Sequence, residues 1–158
     1  MSEFINAMSR AVNGVSIVTT DGPLGRFGLT VSSMTSVSAE PPLLLVCINR
    51  DSAAHDAIRD NGRFAINVLG ARQQKLAGVF AGNSEYGDPY AFDPNTWDMS
   101  GSVPGLRSAA ASFECELESA MTFGTHSIIV GRAVRSCSGI DSPLLYTGRN
   151  YGRPVSLY

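Results

Sequence analysis

The chain has little of the equipment from which most catalytic sites are built. It holds two histidines, His55 and His126, and three cysteines, Cys47, Cys115 and Cys137, none in Cys-x-x-Cys spacing. A zinc site lacks its usual ligand clusters here, so no metal site is expected, and the thiols read as ordinary reduced cysteines. There is no Gly-x-Gly-x-x-Gly after a strand, no Gly-x-x-x-x-Gly-Lys phosphate loop and no Gly-x-Ser-x-Gly elbow. A Ser-His-Asp triad would have to use one of the two histidines, and nothing in the spacing selects either. Twelve Lys and Arg against fourteen Asp and Glu leave a formal charge of -2, with a pI near 5.6. The basic residues are scattered, so no nucleic-acid partner is expected. The longest apolar run, Leu43 to Ile48, is far short of the roughly 20 residues of a membrane-spanning helix. The first residues carry an acid and no apolar signal region, so a cytoplasmic protein with no membrane partner is expected.

What is present fits one domain over residues 1–158, with 44% hydrophobic residues to supply a core. Phe4, Met8, Ala11 and Val12 recur at helical spacing before Asn13-Gly14, which predicts a short helix over 3–13 lying as a lid on the core. "VSIVTT" and "FGLTVSS", separated by "DGPLG", predict a hairpin, and "LLLVCI" a strand covered on both faces. Ser52 is placed to cap a helix that Asn61-Gly62 stops. "FAINVL" predicts a strand, and "ARQQKLAGVFAG" a helix with Leu76, Val79 and Phe80 inward. Residues 83–105, rich in Gly, Pro, Asp and Asn, predict a long surface loop. "SFECELESAM" alternates apolar residues with Glu114, Glu116 and Glu118, so those carboxylates are expected on a solvated strand face. "HSIIVGRAVR" and "PLLYTG" add two strands. Six or seven strands joined mostly by turns, with two or three peripheral helices, favour an antiparallel barrel over a doubly wound sheet.

The stretch "GRFGLTVSSMTSVSAEPPLLLVCINRDS" is the most specific. Small hydroxyl residues allow close backbone approach to a planar polar ligand, and a helix starting at Ser52 offers partial positive charge to a phosphate. A flavin or nucleotide cradle is one reading. The other is that Thr and Ser merely fill strand and turn positions.

Together with "GRFAINVL", "LAGVFAG", "GTHSIIVGRA" and "PLLYTGRNYG", that stretch resembles the short-chain flavin reductases, from about Phe4 to Tyr151, with residues 83–105 the least similar part. The resemblance implies a mainly β, FMN-binding split barrel of Greek-key-like antiparallel strands. It implies a homodimer that moves a hydride from NADH or NADPH to FMN or FAD and hands reduced flavin to a partner oxygenase. It places Thr30, Val31, Ser32, Ser33, Ser36 and Val37 along the isoalloxazine, and Cys47 (by its backbone), Asn49 and Ser52 along the ribityl chain and phosphate. Phe80 would pack at the flavin edge, with a plain core role the competing reading, and Arg149 and Tyr151 would close the site, from the same chain or from the other subunit. His126 would face the nicotinamide or the flavin. Where many relatives have Gly-Asp-His this chain has Gly124-Thr125-His126, and His55 falls where many have Thr, so His55 is assigned no role and is expected on a helix surface.

Hydride transfer between nicotinamide and flavin is chemistry of the cofactors, so a chain without a catalytic cluster can still be an enzyme. A metal-chelate reductase and a non-enzymatic flavin carrier or sensor remain the competing readings.

Overall fold

The structure is a computed structural model that describes residues 2–158. Helix α1 (Glu3–Met8) leads into β1 (Asn13–Gly14), β2 (Ser16–Thr20), β3 (Phe27–Val31), β4 (Thr35–Ala39) and β5 (Pro42–Asn49). Then come α2 (Ala53–Asn61), β6 (Arg63–Val68), α3 (Gln74–Val79), a 3-10 turn at Ser84–Tyr86, β7 (Trp97–Asp98) and β8 (Gly105–Leu106). The long strands β9 (Ala111–Phe123) and β10 (His126–Ser138) and the short β11 (Leu145–Thr147) and β12 (Asn150–Gly152) complete the chain.

Seven strands form one antiparallel sheet in the order β3-β2-β6-β9-β10-β5-β4. Its two end strands, β3 and β4, are consecutive in sequence, so the sheet curls until its ends meet, and that meeting line is a seam without a backbone ladder. At the link between β3 and β4 a side chain stands in for the ladder to β5: the Ser33 hydroxyl donates to the Cys47 carbonyl at 3.0 Å and accepts from the Cys47 N–H at 2.9 Å. This is the split barrel that the resemblance implies.

Strand β2 is buried along its whole length. Its alternation sends Val18 into the barrel interior with Val46, Ile48, Ile58, Phe64, Ile66 and Ile129. Ile17 goes to an outer cluster with Leu69, Phe80, Trp97 and Leu144. "LLLVCI" shows the weaker form of the expected pattern, with Leu44, Val46 and Ile48 buried and the residues between them half-buried. Glu114 pairs with Arg135 at 2.7 Å and Glu116 with Arg132 at 2.6 Å across β9 and β10, an ion-paired version of the solvated face expected there.

Three expectations need correction. Helix α1 ends at Met8, and Asn13-Gly14 is not its stop but a strand paired with β11. The Ser9 hydroxyl donates to the Asn6 carbonyl at the helix end, and the β-branched Val12 that follows does little to continue it. Nor does α1 cover the core, for Phe4 is 74% exposed and Met8 52%. Finally, residues 83–105 are more than a surface loop. Trp97 and Val103 are buried, and Phe80, Phe92 and Trp97 form a ring cluster with edge-on contacts at 5.0 to 5.2 Å. The loop supplies the outer cluster with its largest side chain.

Candidate functional site

Among the described residues, strand β3 has one strand neighbour, β2. On its other side the chain from α3 packs against it: the Thr30 N–H donates to the Phe80 carbonyl at 2.9 Å, and the Thr30 hydroxyl donates to the Ala77 carbonyl at 2.7 Å. Gly28 permits this approach, since a Cβ there would lie 2.7 Å from the Phe80 ring. Two hollows open along β3 and meet at Leu29 and Thr30.

The larger, about 650 Å³, runs between β3, the start of α2 and the chain after α3. Phe27, Leu29, Phe80 and Ala81 give it apolar walls, Arg26 and Tyr90 stand on it, and Asp51, Ser52, Ala53 and Ala54 form its far end. Ser52 caps α2, its hydroxyl accepting from the Ala54 N–H at 3.2 Å, while Gly62 closes the helix in the left-handed conformation at φ 72°. The nine-residue helix therefore turns its positive end toward the hollow. The smaller hollow, about 270 Å³, lies over the barrel seam and is lined by Val31, Ser32, Ser33, Cys47, Asn49 and His126 beside the two shared residues.

Sequence-predicted residues thus divide. Thr30, Val31, Ser32, Ser33, Cys47, Asn49, Ser52, Phe80 and His126 come together around the joined hollows. Ser36 and Val37 do not: they are exposed on β4, where the register slips between Ser36 and Ser38. Arg149 and Tyr151 line neither hollow. They sit on the β11–β12 hairpin, Arg149 at φ 63° and Tyr151 against Tyr146 with ring centroids 5.3 Å apart. Burial pushes the Tyr151 phenol above its ordinary pKa, with Tyr146 and Tyr86 adding to the effect. Phe80 unites its two competing readings, as a buried core ring that is also a wall of the larger hollow. The backbone of Cys47 already serves Ser33 through both its groups.

Sequence reasoning missed Arg26, Phe27 and Tyr90. Arg26 pairs with Asp21 at 2.9 Å. Tyr90 has φ 61°, uncommon for a bulky residue, with its N–H bound to the Val79 carbonyl at 3.0 Å. No local pattern signals it, because only the loop's return across α3 brings it to the hollow.

The expectation for His55 is also corrected. It is buried at 8% exposure, because its ring finds partners on both sides: Nδ1 lies 2.9 Å from Asp56 Oδ1 and Nε2 lies 2.8 Å from Ser127 Oγ. The order acid, imidazole, hydroxyl has the spacing of a hydrolytic triad. Ser127 is only 2% exposed, and its hydroxyl is also engaged by Thr122 at 3.0 Å, so it is no accessible nucleophile.

As a donor set the groove suits a planar heteroaromatic ring with an anionic tail: apolar walls, small hydroxyls near the seam, and a helix N-terminus at the far end. A model of the flavin reductase like domain matches residues 8–154. The chain belongs to that family.

Known relatives of this flavin reductase-like chain agree in sequence and in shape. The FMN reductase (NADH) RutF of Variovorax paradoxus (strain S110) is 40% identical over 151 residues, covering 95% of this chain and 83% of its own. The Streptomyces globisporus C-1027 NADH:FAD oxidoreductase SgcE6, solved with NAD and FAD fragments, superposes with a TM-score of 0.86 at 29% identity over 96% of this chain and 91% of its own. BorF, the flavin reductase component of a bacterial two-component tryptophan halogenase, superposes with a TM-score of 0.82 at 32% identity over 95% of each chain.

Proposed function

We propose that this chain is a single-domain NAD(P)H-dependent flavin reductase, which moves a hydride from NADH or NADPH to FMN or FAD and passes the reduced flavin to a partner oxygenase. The observation that carries the reading is the groove along β3, with a helix N-terminus at one end and a histidine at the other, in a chain of this family. The relatives support the details: an FMN reductase that uses NADH, a reductase solved with NAD and FAD fragments, and a component of a two-component halogenase.

When bound, flavin and nicotinamide supply the hydride-transfer chemistry between them. The chain's residues bind and orient. Ser52 and the first turn of α2 would hold the phosphate. Phe27, Leu29 and Phe80 keep water from the apolar part of the ring. Thr30 and Ser33 spend their hydroxyls on the Ala77 and Cys47 backbones, so they shape the floor, while Ser32 and Asn49 supply polar edges. His126 has Nδ1 2.8 Å from the Thr125 hydroxyl, which leaves Nε2 as the nitrogen its ring offers to a ligand. A reaction that consumes NADH draws on the intracellular nucleotide pool, so this reading places the enzyme in the cytoplasm.

The test is the loss of near-ultraviolet absorbance of NADH or NADPH mixed with the protein, with and without FMN or FAD. Oxidation that requires free flavin and saturates with it is expected. Tight flavin binding without nucleotide oxidation would instead identify a carrier or sensor.

A further inference from the structure

The buried ring of His55 stands outside the groove but joins its two ends. Ser52 caps α2 at the far end of the larger hollow, and His55 lies one turn later, its N–H donating to the Ser52 carbonyl at 3.0 Å. His126 lines the smaller hollow as the first residue of β10; strand alternation sends the next side chain, Ser127, to the opposite face, where it meets His55. Thr122, directly across the β9–β10 ladder from Ser127, completes the chain of hydroxyls.

The hydrogen bonds have a direction. The Asp56 carboxyl lies below the ordinary carboxylate range, chiefly through its hydrogen bond with His55, and an ionised carboxylate only accepts. The His55 Nδ1–H therefore donates to Asp56; with the ring in its neutral form, Nε2 accepts from the Ser127 hydroxyl and Ser127 in turn accepts from Thr122. Every member has a partner, and three elements, α2, β9 and β10, are fixed at one point. Outside this network, the β5–β10 ladder pairs His126 with Asn49, and the Arg50 N–H donates to the Thr125 carbonyl at 3.0 Å; these backbone ties hold the strand ends together, and the His55 network adds the first turn of α2 to them.

We propose that His55 is a positioning residue, pinning the first turn of α2 to the start of β10 through Ser127 and so setting the spacing between Ser52 and His126. This rests on the flavin reductase reading. A ligand held by its phosphate at Ser52 and approached by His126 at its ring reacts only when both ends are in register, and small misplacements cost catalysis steeply. The pin acts on that register without touching the ligand.

The experiment uses the full chain and three variants, Ser127→Ala, His55→Asn and His55→Gln. The Gln amide reaches as far as Nε2 and keeps a partner for Ser127, whereas the shorter Asn reaches only as far as Nδ1. Turnover is measured at saturating NADH and FMN, well below each variant's melting temperature, with FMN affinity measured in parallel. The expected result is that Ser127→Ala and His55→Asn lose about tenfold or more in kcat, while His55→Gln stays within about threefold of the parent. A purely structural role would lower the melting temperatures and leave turnover per folded molecule unchanged; that outcome, or a loss in His55→Gln equal to that in His55→Asn, overturns the proposal. An inactive parent enzyme overturns the flavin reductase reading and the pin together, whereas an active parent with unaffected variants overturns the pin alone.

Discussion

Ser33 does with one oxygen what a whole strand residue does elsewhere in the barrel. Its hydroxyl answers both backbone groups of Cys47 where β4 has not yet begun to pair with β5, so the hydroxyl-rich segment has a structural use at a position that also lines the smaller hollow. The half-buried Cys47 lies in the smaller hollow, while Cys137 is exposed and Cys115 is buried. Bound FMN should therefore slow labelling of Cys47 by a thiol reagent several-fold and leave Cys137 unchanged, as read by peptide mass mapping. Equal rates with and without FMN would remove the seam from the ligand site. Cys115 adds a pH effect. Burial, reinforced by the charge of Glu114, pushes its thiol from the ordinary 9.0 to about 12. An unfolded chain ionises this thiol near pH 9 while the folded one does not, so the stability present below pH 9 is lost progressively as the pH rises toward 12. Denaturant titrations across that range should show a decline that Cys115→Ala makes shallower.

Helix α2 shows how an element can be read from sequence while its role is only half read. Ser52 as cap and Asn61-Gly62 as stop are local signals, and the helix runs Ala53–Asn61 as they require. Helix α3 and the strands β2, β3, β5, β6, β9, β10 and β11 followed in the same way from period and turn chemistry, whereas β1, β4, β7, β8 and β12 were not read as strands. The loop over 83–105 did not, because Trp97 and Phe92 sit among polar turn residues and become core only when the loop folds back on Phe80. Thr30, Val31, Ser32 and Ser33, singled out through residue order, are brought to the joined hollows. Ser36 and Val37 lie outside the hollows because β4 runs along Leu44 and Leu45 of β5, beyond the Ser33–Cys47 end that lines them, and sequence order does not show where the hollows stop; His55 was misplaced because one of its partners, Ser127, is 72 residues away on β10. The cap itself makes a separable prediction. Ser52→Ala should cost about 1 kcal/mol of stability and weaken FMN binding several-fold while leaving riboflavin, which has no phosphate, nearly unchanged in a fluorescence titration. Equal losses for both flavins would move the phosphate away from α2.

At the scale of the whole molecule, the barrel buries its interior well but leaves apolar surface at its margins. Phe4, Ile5 and Met8 are at least half exposed on α1, as are Met121 and Phe123 at the end of β9 and Val155 and Leu157 near the C-terminus. A six-residue helix with none of its residues buried is too short to hold its shape in water alone. Its order is accounted for if something covers it, and a second copy of the chain is the simplest cover, since isologous pairs are the commonest assembly. Such a pair would satisfy the expectation that Arg149 and Tyr151, which line neither hollow of their own chain, close the site of the other subunit. Sedimentation or native mass measurement at micromolar concentration should then show a dimer. Replacing Phe4 and Met8 with Ser should shift it toward monomer and, because the groove would lose its second wall, weaken FMN binding in proportion. A parent protein that stays monomeric at high concentration while retaining full flavin-dependent turnover would refute the shared site and leave the β3 groove sufficient by itself.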